Sequence, residues 1–211
     1  IGLYPYKYPG CYNLLWKKVD KIHTISDALY EKALELGLSS DISMKKITPA
    51  VDINLFQVKN DNHYHRPIRI LSVGRLTWVK GFEYSINAVK ILQKKGISFE
   101  YKIVGNGNYR EALIYAVHQL KLTYEVSFLG VLNTEEVIEQ MAWADIYIQP
   151  SIQEGFCNTV LEAQAMGLKC IVTDADGLTE NVLNGQTGWV VQNRSSEEIA
   201  EKIIDILYDK V

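Results

Sequence analysis

From Ile68 to the end of the chain, short apolar runs alternate with helix-period segments, and this alternation constrains the fold more than any other feature. The apolar runs are Ile68–Val73, Phe99–Val104, Val126–Leu129, Ile146–Ile148, Cys170–Thr173 and Trp189–Val191. Between them lie GFEYSINAVKILQKKG, NYREALIYAVHQLKL, NTEEVIEQMAWA and NTVLEAQAMG, and SSEEIAEKIIDILYDKV follows the last. In the first of these, Phe82, Ile86, Val89 and Leu92 recur on one helical face, and Gly96 ends it. Regular strand–helix alternation with short loops predicts an α/β fold: a Rossmann-like, doubly wound parallel sheet of about six strands. Right-handed crossovers then place helices on both faces.

The first 50 residues follow a different pattern. DKIHTISDALYEKALELG predicts a strand from Lys21 to about Ile25 and a helix from Asp27, with Ser26 as N-cap and Gly37 as stop. KKITPAVDINLFQVKNDNHYHRPIR has no sustained period and collects Pro, Asn and Asp, so it predicts a linker. The division expected is residues 1–50 as a remnant of a preceding domain plus linker, and 51–211 as a ligand-binding domain. The chain opens on Ile1 rather than Met, which suggests a fragment of a longer protein.

Net charge is −3, so no general attraction to nucleic acid or anionic lipid is expected and any anion site must be local. Cys11, Cys157 and Cys170 show neither CxxC nor Cys/His metal spacing and predict reduced thiols. No apolar run approaches the roughly 20 residues of a membrane span, and no signal peptide is evident.

The unusual residues fall just past the carboxyl ends of the predicted strands. Gly74 and Arg75 follow the first, Gly105 to Gly107 the second, Gly130 the third, Pro150 to Glu154 the fourth, and Asp174 to Gly177 the fifth. Open α/β sheets bind ligands along that rim. In VGRLTWVKGFEY, Arg75 and Lys80 precede a helix start, where a cation opposes the macrodipole by about 0.3–1 kcal/mol unless an anion binds. An Arg fork, a Lys charge and helix amides suit a diphosphate; two solvated cations are the plain alternative. IVGNGNYREA carries G-x-G without the third glycine of GxGxxG, so it marks either a dinucleotide site with an incomplete signature or a tight strand-to-helix turn; either way Gly105 and Gly107 let something approach the backbone closely. In EGFCNTVLEAQAMG, Thr159 and Glu162 fit a T-x-x-E capping box. Alternatively, amides from Gly155 to Val160 face a phosphate or sugar, and Glu154 and Glu162 accept from hydroxyls. Asp174 and Asp176 form a D-x-D read as turn acids, and His63 and His65 lack a third ligand for zinc.

Taken together, VGRLTWVKGFEY, YKIVGNGNYREAL, VSFLG, ADIYIQPSIQEGFCNTVLEAQAMG and GLTENVLNGQTGWVV resemble the C-terminal domain of retaining glycosyltransferases of family 4, of the GT-B fold, over about residues 45 to 208. The resemblance implies a nucleotide-diphospho-sugar donor site. Within it, Arg75, Lys80 and Glu154 would be catalytic, with the two cations on the diphosphate and Glu154 beside the transferred sugar. Phe156, Cys157 and Asn158 would contact sugar hydroxyls, Thr159 and Val160 would face phosphate, and Glu162 would hold the ribose. Val131 would meet the base, with Gly74, Gly105 and Gly155 lining the site. It also implies transfer with retention, no metal or other cofactor, and a saccharide or glycoconjugate acceptor bound by an N-terminal domain of which only the last unit is present. A cytoplasmic location follows, with peripheral attachment of the full-length protein to the inner membrane face, in polysaccharide biosynthesis. The isolated chain is expected to bind donor without completing transfer. A nucleotide-sugar epimerase or phosphorylase on the same scaffold, and a non-catalytic Rossmann-like binding module, are the alternatives.

Overall fold

The structure is a computed structural model that describes residues 10–58 and 64–208. A short helix α1 (Cys11–Trp16) leads into a parallel pair, β1 (Lys21–Thr24) and β2 (Ser43–Lys46), joined by α2 (Asp27–Glu35). Ser26 caps α2 as its residue type predicts, its Oγ accepting from the Leu29 amide at 3.2 Å. Gly37 ends the unit at φ +89°. The strand β2 takes in Lys45 and Lys46, the first two residues of the stretch read as a linker. SMKK shows no alternation and is mostly exposed, yet it pairs residue for residue with Lys21–Thr24. Local pattern is silent there because the pairing partner lies across α2.

The remaining elements are β3 (Ile68–Val73), α3 (Phe82–Lys94), β4 (Phe99–Val104), α4 (Arg110–Gln119), β5 (Val126–Gly130), α5 (Thr134–Trp143), β6 (Ile146–Gln149), α6 (Asn158–Ala165), β7 (Lys169–Thr173), α7 (Leu178–Asn181), β8 (Trp189–Val191) and α8 (Ser196–Leu207). All six predicted strands form, within a residue at each end. They make one parallel sheet in the order β5-β4-β3-β6-β7-β8.

Strand alternation divides the core into two layers. Ile70, Tyr101, Ile103, Ile146, Ile148 and Ile171 face α3, α4 and α8. Leu71, Val104, Tyr147, Cys170 and Val172 face α5, α6 and α7. Such a doubly covered sheet explains why its strands read as near-continuous apolar runs. The predicted face of α3 is fully buried: Phe82, Ile86, Val89 and Leu92 are each 0% exposed.

Candidate active site at the switch point

The strand order reverses between β3 and β6. The chain leaves β3 toward β4 and β5, then returns to β6 on the other side. Loops from β3 and β6 therefore diverge to opposite faces, and a crevice opens at their carboxyl ends. The β3 loop carries Gly74, Arg75 and a 3-10 turn, Trp78–Lys80, before Gly81. The β6 loop carries Pro150 through Cys157. The two loops are stitched by the Ile152 amide, which donates to Val79 O at 2.8 Å. Gly81 makes that approach feasible: its φ is +62°, and a Cβ there would stand 2.1 Å from Pro150 O.

Across this seam Lys80 Nζ pairs with Glu154 Oε2, and both side chains are about 15% exposed (15% and 14%). The pair rests on a chain of buried polar groups. Ser151 Oγ donates to Glu154 Oε2 at 3.3 Å, and Gln149 Nε2 donates to Ser151 Oγ at 2.8 Å. Tyr147 OH lies 3.0 Å from Gln149 Oε1 and 2.7 Å from Thr159 Oγ1. Burial, with the Cys157 thiol adding to it, pushes the Tyr147 phenol well above its ordinary range, so it stays a protonated donor. A satisfied buried network of this kind fixes geometry. Tyr147 and Gln149 escaped the sequence reading, which had Ser151 only as part of the Pro150–Glu154 rim; polar residues at the end of an apolar strand, in IYIQPS, were a usable signal.

The turn into α6 corrects the capping reading. Cys157, not Thr159, occupies the N-cap position, and no side chain caps the helix. Thr159 sits one residue inside the helix start, where its hydroxyl is drawn inward by Tyr147. Glu162 does not reach back; its carboxylate has no hydrogen-bond partner among the described residues, and burial raises its pKa. Nor are all the turn amides free. Asn181 clasps Cys157 from α7, with Oδ1 accepting from the Cys157 amide at 2.9 Å and Nδ2 donating to Cys157 O at 3.1 Å. The amides of Asn158 and Thr159 donate to no acceptor among the described residues. The Cys157 thiol is pushed up by burial first and by Glu154 second, so it is a poor nucleophile.

The other predicted residues gather on the same rim. Arg75 is exposed, and its guanidinium has no ion-pair or hydrogen-bond partner among the described residues. The Gly74 amide donates to Val104 O and the Gly105 amide to Gly130 O, at 3.0 and 2.7 Å, which fixes three adjacent strand ends. Val131 is 76% exposed just beyond them. Gly155 and Phe156 are half-buried, and Val160 is buried under the turn. Asp174 Oδ1 accepts from the Asn193 amide at 2.7 Å, which is a loop role. No group of three candidate metal ligands occurs among the described residues. His63 lies outside them, and His65 Nδ1 contacts Asp145 Oδ1 at 2.7 Å. A cavity of about 320 Å³ lined by Gln164, Lys169, Thr187 and Trp189 lies at the amino ends of β7 and β8, away from the crevice.

The family described as Glycosyl transferases group 1 matches residues 55–210. The chain belongs to this family. Curated relatives agree with it. A putative colanic acid biosynthesis glycosyltransferase, WcaL, of Salmonella typhimurium is 27% identical over 92% of this chain and 49% of its own length. The amylovoran biosynthesis glycosyltransferase AmsK of Erwinia amylovora is 29% identical over 90% and 48%. The chain thus spans about half the length of these relatives. The fold matches GT-B C-terminal halves. HepE of Anabaena, in complex with UDP and glucose, superposes with a TM-score of 0.80 at 21% identity, covering 90% of this chain and 54% of that one. The C-terminal domain of the group 1 protein LpcC from Francisella tularensis superposes with a TM-score of 0.67 at 24% identity, covering 76% and 89%. Among the described residues no helix is long and apolar enough to cross a membrane.

Proposed function

We propose that this chain is the donor-binding half of a retaining glycosyltransferase that takes its sugar from a nucleotide-diphospho-sugar. The observation that carries this reading is the Lys80–Glu154 pair at the switch-point crevice, between the Arg75 guanidinium and the Asn158 and Thr159 amides that open α6, which have no partner among the described residues. When the C1–O bond breaks, its electron pair goes to the diphosphate. Arg75, Lys80 and the Asn158 and Thr159 amides stabilise that growing charge. The acceptor hydroxyl attacks C1 from the same face and passes its proton to the departing phosphate oxygen. Glu154 lies beside the sugar, with Phe156 and Cys157 at its hydroxyls; Glu162 takes the ribose hydroxyls, and Val131 flanks the base. Cations and amides do the work of a metal, so catalysis is proposed to need none. The complexes of HepE with UDP and UDP-glucose support this donor class. The names of the colanic acid and amylovoran biosynthesis glycosyltransferases WcaL and AmsK support a place in polysaccharide biosynthesis; a saccharide or glycoconjugate acceptor and a cytoplasmic site of transfer are part of the proposal.

The test is titration with UDP, GDP and ADP by calorimetry and thermal shift. One of them should raise the melting temperature, because a ligand of the folded state stabilises it. Arg75→Ala or Lys80→Ala should weaken that binding about 10- to 100-fold, the value of a charged hydrogen bond at roughly 1.5–3 kcal/mol. EDTA should leave it unchanged. Indifference to all three nucleotides at millimolar concentration would sink the reading.

A further inference from the structure

The one-turn helix α7 touches two parts of the molecule at once. On one side Glu180 grips the start of α2: Oε2 accepts from the Asp27 amide and Oε1 from the Ala28 amide, both at 3.0 Å. Lys46, at the end of β2, bridges Glu180 Oε2 at 2.8 Å and Asp27 Oδ2 at 2.5 Å. With Ser26 on the Leu29 amide, the first three amides of α2 are all satisfied, two of them by a carboxylate from 150 residues further along the chain. Both oxygens are used, so the grip fixes orientation as well as distance.

On its other side α7 holds the turn that carries Glu154. The Gly177 amide donates to Glu154 O at 2.8 Å, and Asn181 clasps Cys157. A Cβ at Gly177 would stand 1.9 Å from Gly155 O, so backbone packs on backbone. The turn is closed from the α2 side as well: a Cβ at Gly155 would stand 2.8 Å from Leu29 Cδ1. Residues 154–157 are therefore sandwiched between α7 and α2, and Glu180 ties the two sides together.

We infer that Glu180 is a positioning residue for the Glu154–Cys157 turn, setting the site by clamping α2 against it. The inference rests on the functional reading only in calling that turn a donor site; the clamp itself is a separate claim. Its consequence is that the position of the β1-α2-β2 unit is written into the geometry of Glu154. A shift of α2 moves Leu29 off Gly155 and loosens the clasp through α7.

The test uses the whole 211-residue chain and two readouts: amide hydrogen exchange, and affinity for UDP, GDP and ADP. Glu180→Gln keeps the shape but turns an amide group toward donor N–H groups and leaves Lys46 with Asp27 alone. Exchange should rise at least about fivefold both at residues 27–29 and, within 154–158, at the hydrogen-bonded Cys157 amide, and nucleotide affinity should fall by a similar factor. Glu31→Gln, an exposed carboxylate on α2, should change neither. Leu29→Ala leaves the carboxylate grip in place and takes away the side chain that closes on Gly155, so it should loosen 154–158 as well; it tests the α2 side of the clamp if Glu180→Gln does not fold. Faster exchange confined to 27–29, with 154–158 and affinity unmoved, would overturn the inference, since Glu180 would then be a helix cap and nothing more. If the wild-type chain binds no nucleotide, the donor reading fails, while exchange at 154–158 still decides the clamp.

Discussion

Glu162 is costly to the fold, and its proposed role at the ribose would account for keeping it. Burial raises its pKa above the usual value of 4.5, and no partner among the described residues offsets that cost. Between pH 4.5 and the raised value, the folded chain holds more protons than the unfolded one. Stability therefore falls as pH rises through that window and stays lower at neutral pH. Solvent screens the half-open side, so the penalty is under about 1 kcal/mol. Glu162→Gln should raise the melting temperature at pH 7 by about 1–3 °C, and the gain should vanish near pH 4, as followed by thermal denaturation across pH. The same substitution should weaken nucleotide binding, because a ribose hydroxyl would lose a charged acceptor. A gain in stability without loss of affinity would remove Glu162 from the site. Sequence alone placed Glu162 in the segment after β6 but not in this environment. T-x-x-E matched a capping box by spacing, whereas the outcome turned on Tyr147, twelve residues upstream of Thr159, which takes the Thr159 hydroxyl.

Two helices whose starts look alike in sequence are closed in different ways, and substitutions should separate them. At α5 the box is real: Asn133 Oδ1 accepts from the Glu136 amide at 2.9 Å, and Glu136 Oε2 accepts from the Asn133 amide at 2.8 Å. Asn133→Ala should cost about 1 kcal/mol in urea denaturation. At α6 the hydroxyl of Thr159 caps nothing. Thr159→Val keeps the shape, and Tyr147 OH still has Gln149 Oε1 at 3.0 Å, so the stability cost should stay below about 1 kcal/mol. A penalty at Thr159 equal to that at Asn133 would restore the capping reading. Features whose signals are local, such as the Ser26 cap of α2 or the apolar stripe of α3, were legible at sight. Those built from distant partners were not. β2 becomes a strand only beside β1, and Asn181 matters only because Cys157, 24 residues away, lies against it.

The described residues combine two sheets of unequal strength. The six-stranded sheet is buried on both faces, while β1 and β2 form a two-stranded parallel pair, an arrangement that needs packing to persist. Amide exchange should therefore be slowest in β3, β4, β6 and β7 and faster by orders of magnitude in β1 and β2. Acid should widen that gap. Burial tends to raise the Glu180 pKa, but the Lys46 hydrogen bond and the Ala28 and Asp27 amides together outweigh it and hold the carboxyl below its usual value. Its contribution is thus complete above pH 4.5 and is lost as pH falls through the depressed value. Lys46, raised by Asp27 and then by Glu180, keeps its charge throughout that range. As pH falls through that depressed value the carboxyl of Glu180 gains a proton and gives up part of its grip on the α2 amides. Exchange in residues 21–35 should then accelerate before the central strands respond, as read by peptide-resolved exchange from pH 6 to pH 3 after correction for the intrinsic rate. Simultaneous loss of protection in both sheets would mean that they unfold as one unit, with the small sheet drawing its stability from the large one through more than this carboxylate.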